Sequence, residues 1–183
     1  MLLNRDHSIL AVIDMQPTLL AAVAGAESVR DHCRWMLTLA KMCSVPACFT
    51  EQYPQKLGTT HPELSKAYPD ARVLGKQCFS AVAAGILDQS LPDAAGQWVL
   101  VGIEAHVCVL QAAFELQAAG KQVFIVSDAV SSRTADDARL ACERMARAGI
   151  QIVSREMVLF EWARTAGTPL FKALSQHFLQ SPP

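Results

Sequence analysis

Short apolar runs rich in Val, Ile, Leu and Ala alternate along this chain with longer stretches of helical period. That alternation restricts the fold more than any other feature. Ser8–Ile13 (SILAVI) reads as a first buried strand. In the stretch after it, Val29, Cys33, Met36, Leu37, Ala40 and Cys43 fall on one helical face. Val45–Thr50 is a second strand, with Pro46 tolerated near its start. Ala71–Leu74 is a short third, and Trp98–Val101, Gln122–Val126 and Ile150–Val153 are the fourth to sixth. Helices are expected at Phe79–Gln89, at Cys108–Ala119 and at Leu170–Leu179. A further helix is N-capped by Thr134, with Asp137 in the capping-box position and Gly149 as its stop. The polar, turn-rich Glu51–Asp70 is the longest irregular segment. Strands alternating with helices give a three-layer α/β/α arrangement, a six-stranded parallel sheet covered on both faces.

The remaining bulk properties narrow the class. A length of 183 residues suits one domain spanning 1–183 with a substantial core. With 51% apolar and 18% charged residues, the chain is globular rather than disordered. A net charge of −1, with both signs mixed along the sequence, argues against a nucleic-acid partner. No apolar run approaches the ~20 residues that span a bilayer. The start, MLLNRDHSIL, lacks the layout of a signal peptide, so a cytoplasmic protein without a membrane partner is expected. Six cysteines (33, 43, 48, 78, 108 and 142) in that compartment are expected as reduced thiols. They contain no Cys-x-x-Cys pair, which removes the spacing of a thioredoxin-type centre or a structural zinc site.

In open parallel sheets, ligands bind outside the carboxyl ends of the strands, near a topological switch point. Asp14, Glu51 and the Gly102–Cys108 segment end strands one, two and four, and Lys76 follows the third. Each has an ordinary alternative. An acid at a strand end often caps a turn through nearby backbone amides, and a lysine alone is usually a solvated surface group. A lone cysteine beside Val107, Val109 and Leu110 serves equally as a small buried hydrophobe. In the functional reading, Cys108 sits in the first turn of a helix, whose dipole favours the thiolate. The three together carry more than each alone, because they would meet at one sheet edge. A thiol with an ordinary pKa near ~8.5 is only a few per cent thiolate at pH 7. A carboxylate can take its proton, and a neighbouring ammonium can stabilise the anion.

VIDMQP, VLGKQCFSA and GIEAHVCV, in this order and each at a strand edge, resemble the isochorismatase-like cysteine hydrolases. That group includes nicotinamidases, N-carbamoylsarcosine amidohydrolases and isochorismatases, and the resemblance runs over almost the whole chain. It implies a Rossmann-like fold with a six-stranded parallel sheet, and a catalytic triad of Asp14, Lys76 and Cys108. It also implies a non-proline cis peptide at Ile103–Glu104. That bond would turn the backbone amides of Glu104 and Cys108 towards one point as an oxyanion hole, a device worth several kcal/mol in acyl transfer. Family members commonly assemble, so a homo-oligomer, dimer or larger, is expected.

Departures from the family pattern direct the functional reading. Nicotinamidases carry an Asp-x-His metal motif after the second strand, where this chain has EQYPQKLGTTH. Glu51 and His61 are the only candidate ligands there, at the wrong spacing, so neither metal nor other cofactor is expected. Isochorismatase proper lacks the cysteine, and Cys108 therefore argues for the amidase-like branch. Glu104 stands where nicotinamidase-like members often have threonine, either touching substrate or making a structural hydrogen bond. His106, two residues before the thiol, titrates in a useful range but equally suits a half-exposed helix start. Tyr53 and Phe79 are candidate pocket walls through their flanking loops, with ordinary packing as the alternative. The resulting expectation is a metal-independent hydrolase of a C–N bond in a small amide or carbamoyl substrate, working through a thioester. The rivals are a catalytically silent binding or scaffold protein and a thiol redox protein. Dinucleotide binding is disfavoured, since no Gly-x-Gly-x-x-Gly follows the first strand.

Overall fold

The structure is a computed structural model and describes residues 1–86 and 96–180. Six strands form one parallel sheet: β1 (Ser8–Ile13), β2 (Ala47–Gln52), β3 (Arg72–Lys76), β4 (Gln97–Gly102), β5 (Gln122–Val130) and β6 (Gln151–Val153). Their spatial order is β3-β2-β1-β4-β5-β6, every neighbouring pair being parallel. The chain builds outward from β1 in one direction, then returns to place β4 on the other side of β1. That reversal makes the β1/β4 boundary the switch point, where the crossovers diverge and leave a crevice at the carboxyl ends.

Both faces of the sheet are buried, which explains why the central strands read as continuous apolar runs rather than as alternating ones. Period-2 geometry divides β1 between two cores. Leu10 and Val12 join the cluster under α2 (Ala26–Met42) and α7 (Arg155–Ala163). Ile9, Ala11 and Ile13 join the cluster under α5 (Leu110–Ala118) and α6 (Ala135–Arg147). Shorter helices complete the chain: α1 (Pro17–Leu20), α3 (Pro54–Leu57), α4 (Pro62–Ala67) and α8 (Pro169–Leu174). Thr134 caps α6 by accepting from the Asp137 N–H at 3.1 Å.

The expected alternation and the three-layer fold are present, but several elements differ. The span 79–86 forms turns rather than the start of a helix, Ser80 Oγ accepting from the Val82 and Ala83 amides. Positions 87–89 of the expected helix lie outside the described residues. The segment read as irregular after β2 contains the short helices α3 and α4, each opened by a proline at its first position. Helix α7 was not anticipated, although Ser154 caps it and Val158, Leu159, Trp162 and Ala163 form its buried stripe. Cys108 does not start an α-helix. It lies in a π-turn (Ala105–Val109) that precedes α5.

Gly102 is where the fold tolerates no side chain. Its φ is +112°, and a Cβ there would stand 2.2 Å from the Ile13 carbonyl oxygen. Only glycine lets β4 end against β1 in this way and feed the Ile103–Glu104 peptide, which is cis.

Candidate active site

Four strand ends supply the site. Asp14 follows β1 with φ +51°, a left-handed conformation held by its N–H donating to the Thr50 carbonyl at 3.1 Å. Lys76 is the last residue of β3, Gln52 the last of β2, and the π-turn after β4 carries Cys108. Lys76 Nζ donates to Asp14 Oδ2 at 2.6 Å and to Gln52 Oε1 at 2.6 Å, and it lies 3.6 Å from Cys108 Sγ. The other Asp14 oxygen accepts from the Thr50 hydroxyl at 2.6 Å. Asp14, Lys76 and Cys108 are all buried. Each formal charge in this cluster therefore has a specific partner, as burial demands.

The electrostatics differ from the sequence expectation of a favoured thiolate. Burial pushes the Cys108 thiol up to about 12, the Asp14 carboxylate adds to the rise, and Lys76 opposes it. At neutral pH the resting sulfur is therefore protonated, beside a carboxylate that is already ion-paired with lysine.

Cys108 opens onto a cavity of about 490 Å³. Asp14, Gln52 and Cys108 form its polar floor, and Leu19, Tyr53, Leu57, Phe79 and Val107 supply apolar walls. Tyr53 adopts φ +42°, with its N–H donating to the Lys76 carbonyl at 2.7 Å, so the turn after β2 is tied to the end of β3. Buried Gln16 fixes the same loop. Its side-chain amide donates to the Gln52 and Gly58 carbonyls, and its oxygen accepts from the Gln52 N–H. Phe79 is half exposed over the opening.

At the cavity's outer end, Glu104 accepts from Arg133 Nε through both carboxylate oxygens, each at 3.3 Å. His106 Nε2 lies 3.7 Å from Glu104 Oε2, and its Nδ1 shares a hydrogen bond with buried Ser132 at 3.0 Å. Of the two alternatives for Glu104, the structure shows the hydrogen-bonded ion pair, made by a residue that lines the cavity. Among the described residues, the Glu104 N–H donates to no backbone carbonyl or side chain. The Cys108 N–H finds no acceptor outside its own turn.

Glu51 and His61 are not part of this site. The strand parity that aims Thr50 and Gln52 at Asp14 and Lys76 turns Glu51 to the opposite face, where it accepts from Thr60 N–H and Oγ. His61 caps α4 by accepting from the Glu63 N–H at 3.3 Å. Thr50, Gln52, Gln16 and Arg133 were not singled out from sequence. Thr50 and Gln52 flank the charged Glu51, and only the register of a doubly buried strand reveals which of them faces the site.

The model of the isochorismatase domain family matches residues 8–157, a span containing every site residue described above. The chain belongs to the isochorismatase family. This isochorismatase-family chain is 37% identical over 175 residues to a secreted isochorismatase effector of Phytophthora sojae, covering 92% of the chain and 83% of that protein. It is 35% identical over 174 residues to the mouse isochorismatase domain-containing protein 2A, covering 93% and 82% respectively. Among solved structures, the MAR1 ribonuclease of Caenorhabditis elegans superposes with a TM-score of 0.88 at 30% identity, covering all of this chain and 95% of that one. The YcaC gene product of Escherichia coli, an octameric hydrolase of unknown specificity, superposes with a TM-score of 0.88 at 22% identity. It covers 98% of this chain and 92% of that one. The architecture is the isochorismatase-family hydrolase fold. Among the described residues, no helix is long and apolar enough to cross a membrane.

Proposed function

We propose that this protein is a cysteine hydrolase that cleaves a C–N bond in a small amide or carbamoyl substrate through a thioester. The observation that carries the reading is one buried ammonium, Lys76 Nζ, within 2.6 Å of the Asp14 carboxylate and 3.6 Å of the Cys108 sulfur, where Asp14 and Cys108 line a cavity of about 490 Å³. A thiol held protonated by burial needs a base at the moment of attack, and Asp14 is the carboxylate beside it.

The proton of Cys108 passes to Asp14 as the sulfur attacks the substrate carbonyl carbon. Lys76 offsets the negative charge that moves between carboxylate and sulfur, and Gln52 and Thr50 keep the lysine and the aspartate in place. The carbonyl oxygen becomes an oxyanion, for which the backbone N–H groups of Glu104 and Cys108 are the donors at hand. The intermediate collapses as Asp14 returns the proton to the leaving nitrogen, and the amine departs from a Cys108 thioester. Water then attacks the thioester, Asp14 taking its proton and handing it to the departing sulfur, and the acid leaves. No step requires a metal. Assembly into a homo-oligomer belongs to the same reading, and the octameric Escherichia coli neighbour supports it.

Intact-mass spectrometry after exposure to a panel of small amides tests the proposal. An acyl adduct that maps to Cys108 in the parent and is absent in both Cys108→Ala and Asp14→Asn is the expected result. A panel that binds with unchanged affinity to Cys108→Ala, and gives neither adduct nor amine release in the parent, would establish a silent binding protein instead.

A further inference from the structure

The cavity's one solvent-reaching cation is already spoken for. Arg133 is the only Lys or Arg lining the cavity among the described residues, and Lys76 lies beneath the floor, engaged by Asp14 and Gln52. Arg133 is 67% exposed along its side chain, whereas Glu104 is 12% exposed. The buried partner is therefore the fixed one, and Glu104 draws the guanidinium onto itself through both oxygens. The cavity thus presents a balanced pair together with an apolar lining from Leu19, Leu57, Phe79 and Val107.

Resting on the hydrolase reading above, we propose that Glu104 is a specificity-determining residue. By neutralising Arg133 it selects uncharged carboxamides with an apolar acyl group and turns away those ending in a carboxylate. The physical argument has two parts. An acyl chain leaving water for these walls gains about 25 cal/mol per Å² of apolar surface buried. A second carboxylate at the far end of the substrate would need the Arg133 guanidinium, and would have to displace a covalently tethered carboxylate to reach it. If it failed to do so, it would lie beside Glu104 as a like charge. A substrate cation gains nothing in exchange, because Arg133 already occupies the Glu104 oxygens.

The test compares three amides of matched length, hexanamide, adipic acid monoamide and 6-aminohexanamide, by kcat/KM for amine release. The same three are compared by Kd on the Cys108→Ala protein. The parent should prefer hexanamide. Glu104→Gln frees the guanidinium and should move the monoamide-to-hexanamide ratio up by about fivefold, the upper end for one partly exposed charge pair. Arg133→Gln leaves Glu104 with only the His106 ring beside it and should move the ratio the other way while raising that for 6-aminohexanamide. Ratios unchanged in both variants, whether read in kcat/KM or in Kd, would overturn the proposal. Because affinity on Cys108→Ala needs no turnover, absence of hydrolysis would count against the thioester reading alone. Ratios that shift in Kd would still carry the assignment of Glu104. Should one variant fail to fold, the other gives a shift of defined sign by itself.

Discussion

Lys76 Nζ lies 2.6 Å from Asp14 Oδ2, and neither side chain is exposed to solvent. Removing one member of such a pair leaves the other as an uncompensated buried charge, at a cost of about 3–5 kcal/mol. Lys76→Met should lose about that much stability in urea unfolding. Adding Asp14→Asn to Lys76→Met should restore part of it, since the double variant buries no net charge. A Lys76→Met protein as stable as the parent would show that the pair does not hold these strand ends together.

Thr50 provides a separate measure of how Asp14 is held. Its hydroxyl donates to Asp14 Oδ1 at 2.6 Å, from the strand next to β1. Thr50→Val conserves the shape and removes the donor, with an expected cost of about 1–3 kcal/mol for a bond to a charged group. Thr50 does not line the cavity, so kcat should fall while KM stays within about twofold, the pattern of an interaction that acts on the chemical step. A rise in KM with unchanged kcat would assign the hydroxyl to substrate binding instead.

The resting state of Cys108 sets its behaviour towards alkylating agents. With the thiol pushed up to about 12, the thiolate is a trace species at neutral pH. Alkylation by 2-iodoethanol, followed by peptide mapping, should therefore accelerate about tenfold per pH unit and show no plateau by about pH 10. A plateau near neutrality would mean a standing thiolate–ammonium pair with Lys76, and Asp14 would then lose its place as the base for attack.

The readable parts of the sequence were those in which local pattern and global fold agree. Asp14, Lys76 and Cys108 stand out because each follows an apolar run, and the switch-point rule then places such positions along one edge. Gln52 is not legible in the sequence because β2 is buried on both faces, so no polar alternation indicates that Gln52 rather than Glu51 faces Lys76. Arg133 lies beyond β5, which runs four residues past the expected Val126, and that extension carries the following turn to the cavity mouth. The π-turn at Ala105–Val109 leaves no residue signature, and it moves Cys108 out of the α-helix in which a thiolate would have been favoured. Helix α7 was legible in principle, since Ser154 and the Val158, Leu159, Trp162 spacing are ordinary signals of a capped amphipathic helix.

Buried thiols also make the whole fold sensitive to alkali. Burial pushes Cys43 up to about 11 and Cys48 to about 12, while Cys108 stands at about 12 for burial and its carboxylate neighbour together. In the unfolded chain each returns to the ordinary thiol range of about 8.5 to 9. The folded values are raised, so the folded state holds these protons more tightly. The stabilising contribution is therefore complete below pH 9 and is lost as pH rises from there towards 11 to 12. Each thiol that ionises only on unfolding lowers stability by about 1.4 kcal/mol per pH unit in that window. Lysine and tyrosine titrate there as well, so the diagnostic is a difference between variants. Cys48 sits in the core under α5 and α6 and takes no part in the hydrogen bonds that join Asp14, Thr50, Lys76 and Gln52. Replacing it by alanine adds a packing cost that does not depend on pH, and it should flatten the fall of unfolding free energy between pH 9.5 and 10.5 by about 1.4 kcal/mol per unit. Parallel curves for parent and Cys48→Ala would mean that the buried sulfur ionises as readily in the folded chain as in the unfolded one.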